Sequence, residues 1–303
     1  MRIGYACLTV GVPGTSFRTC LLKNASDHKL AEVIAHNLDA LDHILDYNHT
    51  QGIRMFRITS DLIPFGSSPV NRLAWPLMFA KDFSCLGRKI KETGLRVSMH
   101  PGQYTVLNSP DPRVVQNAIA DLEYHARVLE LLGVSPEHKI ILHIGGVYGD
   151  KKTAAQRFIA NYRQLEDGVR QRLVIENDDR SYTIEEVLGI SAATGAPAVF
   201  DNLHHAAKPS SIQRTDLEWI RACRSTWQPG DGLQKIHYSQ QAVGKRSGAH
   251  SESIRLEDFA AYYESLEGLD LDIMLEVKDK NLSALRCIKW LRSRTSATPD
   301  PLS

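Results

Sequence analysis

The sequence predicts a single-domain α/β protein, a (β/α)8 or TIM barrel, and three observations carry that expectation. Eight short apolar runs alternate with eight amphipathic segments, in units of roughly 25 to 50 residues. Six successive runs end in a residue of a metal-binding type, and a closed barrel would bring all six to one mouth. The length of 303 residues suits one closed barrel with one core. An open doubly wound sheet is the alternative, but there ligands gather at one switch point and do not span six strands.

The first strand lies within Arg2 to Leu8, and a long Gly, Pro, Thr and Ser segment follows from Gly11 to Ser26. Leu30, Ile34, Leu38, Leu41 and Leu45 recur at helical spacing and mark a helix over 27–48. Met55 to Ile58 gives the second strand; Phe79, Phe83, Leu86 and Ile90 form the next helical stripe, with Gly94 placed to end it. The third strand, Leu95 to Met99, runs into His100, and a helix opens at Asp111-Pro112 and closes near Gly133. Strands four to eight end at His143, Glu176, Asp201, His237 and Glu276. Capping boxes are expected at Thr153-Ala154-Ala155-Gln156, Thr183-Ile184-Glu185-Glu186 and Thr215-Asp216-Leu217-Glu218. A last helix runs from Leu282 to Trp290. The barrel domain is expected over 1–294 and a loose tail over 295–303.

A net charge of +1 argues against coating nucleic acid by bulk basicity. Five widely spaced cysteines without a Cys-x-x-Cys pair fit reduced thiols. No apolar stretch of about 18 residues and no secretory pattern is present, so the expectation is a soluble cytoplasmic protein with no membrane role. No protein partner is evident.

One His or Glu after an apolar run is ordinarily a solvated loop residue. Six in register at the same ends of their strands call for a shared site. The candidate metal ligands are His100, His143, Glu176, Asp201, His204, His237, His250 and Glu276, a nitrogen and oxygen set suited to Mn2+ or Zn2+. Eight side chains suit two or three divalent ions with open positions, and Mg2+ remains an alternative. Such a centre would trap phosphate inside a nearly neutral protein. Glu176 is central in strand order and is the expected bridging carboxylate. His28, His36, His43, His49, His125 and His138 are assigned surface or packing roles.

Lys235 lies two residues before His237 and so faces the same side of the sheet. An ammonium among dications would be repelled. It could pair with Asp201 or Glu276, stay neutral, angle out over the rim, or take up CO2 as a carbamate and become an anionic ligand, which is the favoured outcome. Glu176, Lys235 and His237 are the expected catalytic set.

His100-Pro101-Gly102-Gln103-Tyr104-Thr105, His143-Ile144-Gly145-Gly146-Val147-Tyr148-Gly149, Glu176-Asn177-Asp178-Asp179 with Tyr182-Thr183-Ile184-Glu185-Glu186, and Lys235-Ile236-His237 resemble the UV damage endonuclease family. The likeness runs from Gly4-Tyr5 to the region of Trp290 in the family's order. It implies a metal-dependent DNA repair enzyme on a TIM barrel, related in design to the endonuclease IV type. Such an enzyme cuts damaged double-stranded DNA on the 5′ side of a UV photoproduct. The resemblance also implies ligand roles for His204 and His250 and substrate-binding roles for Tyr5, Gln103 and Tyr104. Asp201-Asn202-Leu203-His204-His205 departs from the Asp-aromatic-His-His run of some members and leaves His204 and His205 as alternative ligands. A sugar isomerase or epimerase on the same barrel type is the rival function, and it would need a small enclosed pocket.

Overall fold

The computed structural model describes residues 1–295. Eight parallel strands close into one barrel in sequence order: β1 (Ile3–Ala6), β2 (Met55–Ile58), β3 (Arg96–Met99), β4 (Ile140–His143), β5 (Leu173–Glu176), β6 (Ala198–Asp201), β7 (Lys235–Tyr238) and β8 (Asp272–Leu275). The surrounding helices are α1 (Asp27–Gln51), α2 (Trp75–Met78), α3 (Ala80–Thr93), α4 (Pro112–Leu131), α5 (Lys151–Tyr162), α6 (Asp167–Arg170), α7 (Ile184–Thr194), α8 (Asn202–Ala207), α9 (Asp216–Arg224), α10 (Leu256–Ser265) and α11 (Asn281–Thr295). The single-domain TIM barrel expected from the sequence is the fold observed.

Strand alternation sorts the side chains. Ile3, Phe56, Val97, Leu142, Ile175, Phe200, Ile236 and Ile273 face outward and join the main core beneath the helices. Each such fully buried side chain stabilises by about 1.5–3 kcal/mol. The alternate residues face the barrel interior, where Ala6, Met55 and Met274 form one apolar plug and Ile141, Val174 and Val199 another. At the floor, Asp272 accepts from Arg96 Nη1 at 2.9 Å and from Arg2 Nη1 at 3.0 Å, so a buried carboxylate fastens β8 to β1 and β3. Gly4 is required where β1 meets β2: a Cβ there would lie 2.3 Å from the Met55 carbonyl oxygen.

The hydrogen-bonded ladder is uneven. β2 and β3 share four register pairs, as do β4 and β5, whereas β3 and β4 share one, Met99 with Ile140. Below that pair the Val97 N–H donates to Nδ1 of His138 at 3.0 Å, so a side chain replaces a ladder bond.

Local signals in the sequence are mostly realised. Ser26 and Asp111 cap α1 and α4, Thr183 and Thr215 form the expected capping boxes, and Gly52, Gly94 and Gly195 take the left-handed conformation past helix ends. Three features differ. Thr153 does not cap: Asp150 does, accepting from the Thr153 N–H at 3.1 Å, because a carboxylate three residues earlier outcompetes the hydroxyl. Eleven helices occur among the described residues where eight were expected, because α2, α6 and α8 are short additions within the connections. Thr295 closes α11, and the rest of the expected tail lies outside the described residues.

Gly87 sits inside α3, where alanine would gain about 1 kcal/mol of helix propensity. A Cβ at that position would stand 1.9 Å from the Leu132 carbonyl oxygen past the end of α4. The clash outweighs the propensity, so Gly87→Ala should destabilise the barrel by about 2 kcal/mol net in urea unfolding. A raised midpoint would show that the α3–α4 contact yields.

Candidate metal centre

Each donor reaches the mouth through inward-facing parity. His143, Glu176 and Asp201 are the last inward residues of β4, β5 and β6, and His237 is the last of β7. His100 and Glu276 follow β3 and β8 by one residue. Glu176 is the centre. Its carboxylate lies 2.6 Å from His237 Nδ1, 3.3 Å from His100 Nε2, and 3.8 Å from both His143 Nε2 and His204 Nδ1. Two overlapping sets of donor atoms result: His100, His143 and Glu176, and Glu176, Asp201, His237 and Glu276, each within 4.8 Å.

The surroundings of these groups favour an added cation. Buried Glu176 Oε2, Asp201 Oδ2 and His143 Nδ1 have no hydrogen-bond partner among the described residues. A buried carboxylate oxygen left unpaired is costly, and the orphaned Glu176 Oε2 and Asp201 Oδ2, with His143 Nε2 turned toward Glu176, fit the coordination of divalent metal. Burial alone would raise Glu176, but His237, His100 and His143 hold it well below the usual carboxylate range. Burial works against charge on His204 too, yet the Asp201, Glu176 and Glu276 carboxylates push its imidazole up to about 9. Burial lowers His100 and His143 and raises Asp201. Glu176 thus keeps its charge against a low dielectric, whereas burial opposes charge on Asp201.

His204 lies on α8 with its ring facing this cluster, 3.8 Å from Asp201 Oδ1. His205 turns the other way and packs against Phe200 and Trp219, at 5.3 and 6.1 Å between centroids. His250 stands at the rim, its Nδ1 on the Glu276 carbonyl oxygen and its ring 6.2 Å from that of His204. Lys235 is fully buried below His237, and its Nζ has no hydrogen-bond partner among the described residues. It is neither angled over the rim nor paired with Asp201 or Glu276. Burial, then Arg96 and Arg57, bring its amine well below the usual lysine range.

Gln103 and Tyr104 occupy an exposed turn after His100, with Tyr104 83% exposed. A recess of 250 Å3 opens beside the cluster between this turn and Asp179, Arg180 and Arg246. Tyr5 is not part of it. As an outward residue of β1 it packs on Phe56 at 5.1 Å, and its hydroxyl bonds Asn48 and Thr9 at 2.8 Å, so strand parity removes it from the mouth. Lys151 is engaged with Glu186 at 2.9 Å, and Arg246 with Asp179 at 3.2 Å.

Two residues at the site escape a reading based on strand ends. Arg57 projects inward from β2, donates to His237 Nε2 at 3.1 Å and pairs with Glu276. A charged residue inside the run Met55-Phe56-Arg57-Ile58 was its signal. Asn177 exchanges two hydrogen bonds with the Asp201 backbone, at 2.9 and 3.0 Å, and receives His204 Nδ1 on its carbonyl at 3.0 Å. It locks the ends of β5 and β6 together. No helix among the described residues is long and apolar enough to cross a membrane.

A family model described as UV-endonuclease UvdE matches residues 1–299. A UV DNA damage endonuclease of Clostridium perfringens is 43% identical over 292 residues, covering 96% of this chain and 71% of the relative. The crystal structure of SacUVDE superposes with a TM-score of 0.92 at 37% identity, over 97% of this chain and 99% of that one. Endonuclease IV from Thermus thermophilus, at 15% identity and a TM-score of 0.61 over 97% of this chain and 100% of its own, shares the fold. With the family signature running through the strands that carry the clustered donors, the chain belongs to the UV-endonuclease UvdE family, TIM-barrel DNA repair endonucleases.

Proposed function

We propose that this chain nicks damaged double-stranded DNA on the 5′ side of UV photoproducts, and of other lesions that weaken stacking, in the cytoplasm. The observation that carries the reading is Glu176, an ionised carboxylate ringed by four imidazoles at an open barrel mouth. His100, His143, Glu176, Asp201, His204, His237, His250 and Glu276 would hold two or three divalent ions, Mn2+ foremost, with Zn2+ or Mg2+ as alternatives. Such ions would supply an activated water, a clamp on the phosphate and stabilisation of the leaving alkoxide.

The protein's own groups set up that chemistry. Glu176 turns Oε2 toward His100 and His143 and Oε1 toward His237 and His204, which supports a bridging role for it. Arg57 places a fixed positive charge beside Glu276 and His237 at the edge of the cluster, and His237 Nδ1 faces Glu176. Gln103 and Tyr104, on the exposed turn after His100, would probe the duplex, and a damaged step opens at a cost lower by on the order of a few kcal/mol than an intact one. Tyr104 can then fill the gap as a wedge. The recess beside the turn is lined by Arg180 and Arg246 together with Asp178 and Asp179, so the reading of a polyanionic substrate rests on the family likeness and the metal-type donors and not on the charge of this recess.

Purified protein with Mn2+ should cut an irradiated, end-labelled duplex once, beside the lesion; random cleavage or intact strands would overturn the proposal. Glu176→Ala should lower incision by more than about a hundredfold and reduce bound metal from two or three ions while circular dichroism stays native. Retained metal and rate would displace Glu176 from the centre.

Lys235 is assigned as a carbamate ligand, formed when its unpaired, unprotonated amine adds CO2 and releases a proton. Its burial, missing partner and position two residues below His237 support this. Protein equilibrated with 13C-bicarbonate and diamagnetic Zn2+ should show one carbamate carbon resonance that is absent from Lys235→Ala, and that variant should lose bound metal. A wild-type spectrum without the resonance at full metal occupancy would rule the carbamate out.

A further inference from the structure

The turn bearing Gln103 and Tyr104 is fastened at both ends to one helix. Asp121 and His125 lie four residues apart on α4 and share a face toward the loop after β2. His125 is fully buried, with Nδ1 on the Asp121 carbonyl at 2.6 Å and Nε2 2.9 Å from Ser60 Oγ. Ser60 has one hydroxyl proton for two acceptors, that nitrogen and the His100 carbonyl at 2.7 Å. Donated to the His100 carbonyl, that proton ties down the start of the turn, with His125 Nε2 in contact with Ser60 Oγ. Its other end is tied by Thr105, whose hydroxyl donates to Asp121 Oδ2 at 2.6 Å, while Ser67 donates to Oδ1 at 2.9 Å. The Thr105 N–H closes the turn on the Gly102 carbonyl at 3.0 Å. Between the anchors, Tyr104 projects over a cavity of 410 Å3 bounded by Asp61, Phe65, Asp121 and Tyr124.

We infer that Ser60, Asp121, His125 and Thr105 form a buried clamp that positions the Tyr104 turn for probing the duplex, linking it to the backbone of His100. The inference rests on the reading of Tyr104 as a wedge. A free turn would have to be ordered each time a lesion is engaged; a clamped one is ordered beforehand, and the gain appears only where Tyr104 inserts. Ser60, Asp121 and His125 are positioning residues, since they lie outside the recess beside the metal-type donors; Thr105 borders that recess and is bonded to Asp121 through its hydroxyl.

The test is a double-mutant cycle. Thr105→Val keeps the shape of the side chain and removes the bond to Asp121; Thr105→Ser restores the hydroxyl. Thr105→Val should lower kcat/KM on an irradiated duplex roughly three- to tenfold, the scale of one ordering step. Affinity for undamaged duplex and bound Mn2+ should stay within about twofold of wild type, and Thr105→Ser should recover most of the rate. In a Tyr104→Ala background the same substitution should change kcat/KM by less than about twofold. Equal losses in both backgrounds, or no loss in either, would overturn the clamp while leaving the wedge standing. Wild-type lesion incision by Tyr104→Ala alone would overturn the wedge, and the clamp with it. Should Thr105→Val fail to fold, Ser67→Ala removes the other bond to Asp121 and is read in the same cycle, with a smaller loss confined to the Tyr104 background.

Discussion

A carboxylate fully enclosed in protein must be compensated, and Glu176 is where this barrel meets that requirement. Its two oxygens are faced by imidazoles from β3, β4, β7 and α8, so four elements far apart in sequence converge on one side chain. The convergence has structural costs that neighbouring groups offset. Asn177 holds β5 to β6 by backbone bonds where side chains at the mouth cannot. Arg57 supplies a permanent positive charge beside Glu276 and His237, on a strand that delivers no donor of its own. Removing either partner from such a buried arrangement leaves the other uncompensated, which is the expensive way to break an ion pair.

The barrel was legible in the sequence because parallel strands covered on both faces read as unbroken apolar runs, and the runs stopped at donors. His143, Glu176, Asp201 and His237 could therefore be placed from position alone. Orientation was less legible. Tyr5 sits in an apolar run where either face is buried, so only the three-dimensional parity shows that Gly4 and Ala6 point in and Tyr5 points out. Adjacent histidines posed the same difficulty at His204 and His205, which a helical turn of α8 sends to different sides. Arg57 was hidden because a strand reading looks for ligands at the end and not in the middle. Thr153 misled because Asp150 competes for the same orphan N–H groups.

The interior carries two polar systems that must not merge. The floor centres on Asp272 with Arg96 and Arg2, and the mouth on Glu176. Met55 and Met274 on one side, and Ile141, Val174 and Val199 on the other, fill the space between. Lys235 stands at this boundary and feels cations from both directions, Arg96 from the floor and Arg57 from the mouth. An ammonium is disfavoured there whatever occupies the mouth.

The His138 bond to Val97 N–H bears on how the ring responds to acid. Burial, then the Arg96 and Arg172 guanidiniums, push the His138 imidazole down from 6.5 to about 3, so in the folded chain Nδ1 remains an acceptor at neutral pH. In the unfolded chain the same imidazole takes a proton near its ordinary value. Stability from this group is therefore complete above pH 6.5 and drains away as pH falls toward 3. The bond belongs to β3 and β4, the strands with one register pair between them. Within the folded ring the joint below the turn that carries Tyr104 thus keeps its bond in mild acid, while the stability that the bond confers against unfolding declines, one contribution among those of the buried imidazoles.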